Sequence, residues 1–221
     1  MEQAGTTNGY TVDTRNKVKR VPDRGHYDKE TVYAILDAGY LCHISFVMDD
    51  QPFIIPTLYG REDDKLYIHG ANTSRLIKHL DKGVAMSLAV THVDGIVLAR
   101  SAFHHSMNYR SVVVFGHARK VPDAGKENAL YIISESVLKG RWNESRLPNA
   151  KELKATTVLE IEIEQASAKI RTGGPRDEKE DYALDIWAGV LPLEVRKLPP
   201  VSDELLKEGV ELAPSVRDAG S

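Results

Sequence analysis

Apolar and polar residues alternate through much of this chain with the two-residue period of half-buried strands. LCHISFVM reads as one strand, Asp49–Asp50–Gln51–Pro52 as its turn and FIIPTLYG as the returning strand. A second polar turn at Arg61–Asp64 leads into KLYIHG, which predicts an antiparallel meander with short connections. VAMSLAV and GIVLARSAF flank Val93–Asp94–Gly95 and predict a further hairpin. YRSVVVFGHARKV is a long strand in which Ser111, Val113 and Phe115 alternate with Val112, Val114 and Gly116. The last predicted strand is TTVLEIEIEQASAKIR, where Leu159, Ile161 and Ile163 alternate with Glu160, Glu162 and Glu164. One side of it is buried and the other wet.

Helical spacing interrupts this pattern in three places. From Asp28 to Ala38, Val32, Ile35 and Leu36 share a face, Asp28 is placed to cap and Gly39 to stop the helix in the left-handed region. A short helix is predicted from Asn72 or Thr73 to Leu80, closed by Gly83, and an amphipathic one over about Ala124–Leu138. Pro56 inside a strand removes a ladder donor and points to an edge, a bulge or the wall of a ligand site. Many strands about ten residues apart, with few helices between, predict a mainly β fold with helices, built as a closed or nearly closed barrel. Residues 1–20 read as a flexible or late-docking arm, 21–171 as the barrel domain and 172–221 as an irregular extension packing on it.

Composition narrows the function. A net charge of −3 gives no electrostatic reason to expect nucleic acid as a partner. The single cysteine, Cys42, excludes an intramolecular disulfide and a cysteine-rich zinc site. The apolar runs around Val84–Val90 and Val112–Phe115 are too short to cross a bilayer, and the first residues hold no signal-like apolar stretch. A soluble cytoplasmic protein with no membrane partner is the expectation.

Two segments carry candidate chemistry. In LYIHGANTSRLIKHL a strand ends at His69, and a Gly–Ala–Asn–Thr–Ser–Arg linker, from Gly70 to Ser74 and Arg75, opens a helix. A hydroxyl and a guanidinium at a helix N-terminus suit phosphate oxygens, and a capped helix with a solvent-facing arginine is the plainer alternative. In ARSAFHHSMNYRSVVVFGHARKV, polar groups of His104, His105, Ser106, Asn108 and Tyr109 gather before a strand. Adjacent histidines on an extended segment diverge, so His104 and His105 cannot share one metal, and no metal site is expected. Cys42 reads as a small buried hydrophobe.

YRSVVVFGHA resembles the strand of pyridoxamine 5′-phosphate oxidase-like flavoproteins that runs beside the flavin. IHGANTSR resembles that superfamily's strand-to-helix turn, where Ser and a basic residue hold the flavin phosphate. The similarity covers about Arg20–Ile163, and the pattern is most similar to the nitroimidazole-resistance, flavin-nucleotide-binding branch. The basic residues that pyridoxamine phosphate oxidases use on the vitamin phosphate have no counterpart here. The resemblance implies an FMN-binding split β-barrel of Greek-key type, paired as a homodimer with flavin at the interface. It further implies that Gly70, Ser74 and Arg75 form the phosphate turn, and that Ile55, Pro56 and Thr57 line the isoalloxazine. Tyr109, Arg110 and Ser111 would approach the flavin, and Trp187 would reach its edge or anchor the tail. His69 would lie beside the ligand as the candidate catalytic residue, donating a proton or holding an anionic substrate. The expected activity is flavin-dependent oxidation or reduction of a small organic molecule. The alternative is a non-catalytic flavin- or haem-binding protein, with His69 or His105 as an axial ligand.

Overall fold

The computed structural model describes residues 8–219. Along the chain lie β1 (Gly25–His26), α1 (Lys29–Asp37), β2 (Leu41–Met48), β3 (Gln51–Leu58), β4 (Gly60–Glu62) and β5 (Lys65–Ala71). There follow α2 (Arg75–Leu80), β6 (Ala85–Leu98), β7 (Ser106–Lys120), α3 (Asp123–Val137) and α4 (Ala150–Ala155). The last elements are β8 (Thr156–Glu162), β9 (Gln165–Arg171), β10 (Gly189–Pro192) and α5 (Pro214–Asp218). The protein is mainly antiparallel β with helices, as the alternation predicts. The elements form two compact units interleaved in sequence. One holds the described residues up to 56, with 85–116 and 163–194, and the other holds 57–84, 117–162 and the described residues from 195 onward.

In the first unit, β2 pairs with the front half of β6, with His43 opposite Ala89, and β10 pairs with its rear half, with Gly189 opposite Leu98. β9 pairs with β7, Tyr109 opposite Arg171, and β1 pairs with β9. Asp49 and Asp50, with φ of 50° and 56°, make a two-residue turn between β2 and β3 whose twist matches the strands. Gln51 and Pro52 are already strand rather than turn. β3 ends the strand order, so Pro56 sits on an edge strand, where proline is tolerated.

The core of this unit comes from the apolar phase of each strand. Cys42, Ile44 and Phe46 of β2, Val112 and Val114 of β7 and Val32 and Leu36 of α1 are all buried. Asp28 caps α1 by accepting from the Thr31 N–H at 2.7 Å. Burial pushes the Cys42 thiol up to about 12, which makes it an inert hydrophobe rather than a nucleophile. Of the arm expected over 1–20, residues 1–7 lie outside the described residues. Tyr10 and Asn16 are buried, and Asn16 donates to the Ala166 carbonyl at 3.2 Å.

Three local expectations need correction. The hairpin at Val93–Asp94–Gly95 does not form, because β6 runs straight through it. A Cβ on Gly95 would stand 3.0 Å from Val190 Cγ1 and 3.1 Å from the Leu191 carbonyl, so the glycine admits β10 rather than a turn. TTVLEIEIEQASAKIR is two strands, broken at Ile163–Glu164, with β8 pairing with β5 and β9 with the body of β7. Gly39 does not adopt the left-handed conformation. A Cβ there would approach His92 Cε1 to 2.8 Å, and that imidazole is held at 2.9 Å from the Ile35 carbonyl.

In the second unit β8 pairs with β5, His69 opposite Val158, and β5 with β4, Gly60 opposite Tyr67. The end of β7 pairs with β8, Ala118 opposite Ile161. α3 covers this sheet through Ala129, Ile132 and Ile133, which meet Tyr67, Val121 and Val158. Burying each large aliphatic contributes about 1.5–3 kcal/mol. Ser136 of α3 also donates to the Tyr59 carbonyl at 2.6 Å, tying the helix to the residue just before β4. α4, unforeseen in the sequence, has a capping box in which Asn149 and Glu152 satisfy each other's backbone N–H groups. Among the described residues, no helix is long and apolar enough to cross a membrane.

Candidate functional site

The strand-to-helix turn is built by β5 and α2 within the second unit. Ile68 is fully buried, His69 is half-buried, and Gly70 faces Thr157 across the ladder. A Cβ on Gly70 would come to 2.9 Å from Ile77 Cγ1, so only glycine lets α2 fold back this closely over the strand. Asn72 holds the turn in place. Its N–H donates to the Ala155 carbonyl at 3.2 Å and its amide to the Lys154 carbonyl at 2.8 Å. Its side-chain oxygen accepts the Thr157 hydroxyl at 2.7 Å. No feature of the sequence pattern singled out Asn72 for this role, because its partners lie more than eighty residues away.

Ser74 is the N-cap residue of α2, yet its hydroxyl makes no capping bond. Arg75, the next residue, is exposed. Helix α2 has only six residues, so its dipole adds little, and the chemistry of the turn rests on the Ser74 hydroxyl and the Arg75 guanidinium. His69 is the other notable group. Its Nδ1 is buried without a hydrogen-bond partner, and burial lowers the pKa of the imidazole, which is therefore neutral at pH 7. A buried, unpartnered ring nitrogen is a costly thing to keep in a structural position. An uncapped hydroxyl, an exposed guanidinium and an orphaned imidazole nitrogen are donor chemistry that fits a phosphorylated redox cofactor. Thr57, also in this unit, donates to the Leu58 carbonyl at 3.4 Å.

The remaining candidates lie in the first unit. Ile55 is half-buried and Pro56 exposed on β3. Tyr109, Arg110 and Ser111 open the long pairing of β7 with β9. Arg110 grips Asp94 through Nε at 3.0 Å and Nη2 at 2.8 Å, and the Ser111 hydroxyl donates to the Lys169 carbonyl at 3.3 Å. Both side chains are therefore engaged within the sheet, and Tyr109 is the freer neighbour. Trp187 is 69% exposed, its ring 3.0 Å from where a Cβ on Gly189 would stand.

Two anchors escaped the sequence reading. Arg171 is buried and donates to Asn108 and to the carbonyls of Gly173 and Gly174, the latter two at 3.2 Å. Asp177 accepts from the backbone of Arg100 at 3.0 Å and of Ser101 at 3.2 Å. Together they hold the segment after β9 onto the β6–β7 connection. The run GGPRDEKEDY looked solvated in the sequence, because a buried carboxylate within it has the same composition as an exposed one.

The Asp94–Arg110 pair gives a pH signature. Arg110 holds the Asp94 carboxyl below its ordinary 3.8. Below that ordinary value the unfolded chain takes up the proton first, so the pair's contribution is complete above about pH 4. It is lost as pH falls through the lower, folded value. Asp94→Asn is therefore expected to lower the Tm slightly at pH 7, with the gap to wild type closing as pH falls below the ordinary carboxylate range. The two side chains are 36% and 39% exposed, so the gap should also narrow in 1 M salt. A Tm difference independent of both pH and salt would show that the pair is not responsible.

His105 bears on any metal or haem reading. Its Nδ1 accepts the Ala99 N–H at 3.0 Å, which leaves the ring proton on Nε2 and makes that nitrogen a donor instead of a ligand. Among the described residues, no group of three or more His, Cys, Asp or Glu side chains is placed to hold a metal ion.

The family model for pyridoxamine 5′-phosphate oxidase matches residues 28–170, well over half of the chain. The chain belongs to the pyridoxamine 5′-phosphate oxidase family. Its fold is that family's split β-barrel. Solved structures similar to this member of the family include the flavocytochrome Anf3 from Azotobacter vinelandii. That protein is 39% identical, with 94% of this chain and 97% of that chain covered and a TM-score of 0.88. A FAD and heme binding protein from Mycobacterium smegmatis is 34% identical, with 89% and 97% covered and a TM-score of 0.86. A putative 5-nitroimidazole antibiotic resistance protein from Bacteroides thetaiotaomicron, at 21% identity, 65% and 84% coverage and a TM-score of 0.54, shares the fold. Comparison with curated proteins gave no match.

Proposed function

We propose that this protein binds a flavin nucleotide and a haem and serves as a redox protein of the flavocytochrome kind, with a small organic molecule as electron source or sink. The observation that carries this reading is the 39% identity over 94% of the chain to a protein named as a flavocytochrome. The 34% identity to one named for FAD and haem supports it. The flavin exchanges electrons singly or in pairs and the haem singly.

The chain's own residues divide the remaining work. Ser74 and Arg75 bind the flavin phosphate, the hydroxyl with one bond and the guanidinium with a planar fork. Ile55, Pro56, Thr57, Tyr109 and Trp187 supply apolar and aromatic surface for a planar ring. Arg110 and Ser111, already bonded within the sheet, hold Tyr109 in register instead of meeting the ligand with their side chains. His69, neutral at pH 7, offers an imidazole nitrogen to the haem iron or a proton position beside the flavin. The orphaned Nδ1 favours His69 over His105 as the haem ligand, since His105 is committed to Ala99. FMN is the nucleotide that the phosphate turn suggests, and FAD is the one named for the mycobacterial relative. Residues 21–171 form the flavin-binding domain with 172–221 as its extension, and the active form is a cytoplasmic homodimer.

An absorbance spectrum of the protein purified from cells supplied with haem tests the reading, followed by mass identification of what denaturation releases. Flavin maxima together with a Soret band are expected, and the released mass assigns FMN or FAD. His69→Ala should abolish or shift the Soret band while leaving the flavin maxima in place. A colourless protein, unchanged when flavin and haem are added, would overturn the proposal.

A further inference from the structure

β9 ends at Arg171, opposite Tyr109 of β7, so these two side chains share one face of the sheet. Arg171 is only 6% exposed, yet every partner it has is neutral. Its Nη1 donates to Asn108 and to the Gly173 carbonyl, and its Nη2 donates to the Gly174 carbonyl. Those bonds leave the Nε proton and one Nη2 proton with no acceptor among the described residues. A buried cation met only by neutral groups keeps its full charge, which is costly to hold unpaired.

Two more guanidiniums stand beside it. β1 lies against β9 with Gly25 opposite Lys169, which brings Arg24, just before β1, to the end of β9. Arg176 follows in a loop tied down at both ends. Arg171 holds the loop at Gly173 and Gly174, and Asp177 holds it to the backbone of Arg100 and Ser101. After burial itself, Arg24 and Arg176 are what lowers the Arg171 pKa, so both lie within electrostatic reach. The nearby carboxylates are engaged elsewhere. Asp177 is paired with Arg100 at 3.2 Å, and Glu178 lies 3.6 Å from His104. Among the described residues no carboxylate pairs with Arg24, Arg171 or Arg176. The outer side of the loop is open, since nothing lies within 4 Å of where a Cβ on Gly173 or Gly174 would stand.

We propose that Arg24, Arg171 and Arg176 form an oxyanion site beside Tyr109, for a phosphate or carboxylate ligand carrying more than one negative charge. Arg171 gives the site a fixed, partly desolvated fork, and Arg24 and Arg176 add charge that a monoanion would not balance. The site uses none of the residues of the phosphate turn, and it goes beyond the proposed function. Charge of this kind is carried by the second phosphate of FAD, by the paired propionates of haem and by free organic dianions.

Inorganic pyrophosphate is the probe. It is titrated into the full-length protein, stripped of ligands and carrying Ser74→Ala and Arg75→Ala, so that the phosphate turn does not respond. Calorimetry should show binding that weakens as salt is raised, together with a rise in Tm. Adding Arg24→Gln with Arg176→Gln should weaken that binding on the order of tenfold or more. Neither side chain is bonded to a described group, so the fold should stand. Without ligand, the Tm should stay the same or rise as the repulsion on Arg171 is relieved. Pyrophosphate binding that is absent, or equal with and without the two glutamines, overturns the site. The same glutamine pair in the otherwise native chain then identifies the source of the charge. Weaker binding of FAD but not FMN assigns the second phosphate, and weaker binding of haem but not its dimethyl ester assigns the propionates. No change for either ligand assigns a free dianion. Failure of the phosphate turn would appear separately, as unchanged flavin affinity in the Ser74→Ala, Arg75→Ala chain, and would leave the effect of the two glutamines on pyrophosphate in place.

Discussion

Gly60→Ala is expected to destabilise the protein by about 3 kcal/mol, a fall in Tm of roughly 6–12 °C for a chain of this size. The added Cβ would stand 2.6 Å from the Ile132 carbonyl oxygen and 2.8 Å from the Ile133 Cα. Both are backbone atoms of α3, so no side chain can swing away to make room. The helix must lift from β4, and with it go the burial of Ile133 and the bond from Ser136 to the Tyr59 carbonyl. Gly174→Ala is the matched control. A Cβ there meets nothing within 4 Å, so its Tm should stay the same or rise slightly through the lower entropy of the unfolded chain. Equal stability of Gly60→Ala and wild type would show that α3 does not press on β4 as described.

Ser74→Ala combined with Arg75→Ala is expected to weaken flavin binding roughly a hundredfold or more while leaving the fold intact. Each charge-assisted hydrogen bond to a phosphate contributes about 1.5–3 kcal/mol, and 1.4 kcal/mol is a factor of ten in affinity. Stability should hold because the Ser74 hydroxyl caps nothing and Arg75 is exposed. The turn itself is held by Asn72 through Ala155, Lys154 and Thr157. Titration of the apoprotein with flavin, with circular dichroism as the check on folding, separates the two effects. Unchanged affinity would remove the phosphate from this turn.

The period-two patterning was enough to find seven of the strand segments, because one buried face imposes alternation on every half-buried strand. It also identified α1, α2 and α3, whose apolar faces and caps are local properties. Helix α4 escaped because its apolar content is low and its stability lies in the Asn149–Glu152 box. The errors at Gly95 and at Ile163–Glu164 share one cause. A glycine admits a turn or a close neighbour equally well, and an alternating run does not reveal where a strand changes partner. At Gly95 the neighbour is β10, nearly one hundred residues later in the chain.

For the candidate site the division is similar. The order strand, Gly70, Ser74, Arg75, helix is a local sequence feature, and it sufficed to suggest a phosphate turn and a flavoprotein family. The engagement of Arg110 by Asp94, the commitment of His105 to Ala99 and the orphaned Nδ1 of His69 depend on which groups meet in space. The sequence by itself determined most of the strand and helix types and the family, because these follow from short-range spacing. Only the tertiary structure decided which side chains are free to meet a ligand. That is a matter of hydrogen-bond partners brought together across long stretches of chain, and spacing does not record it.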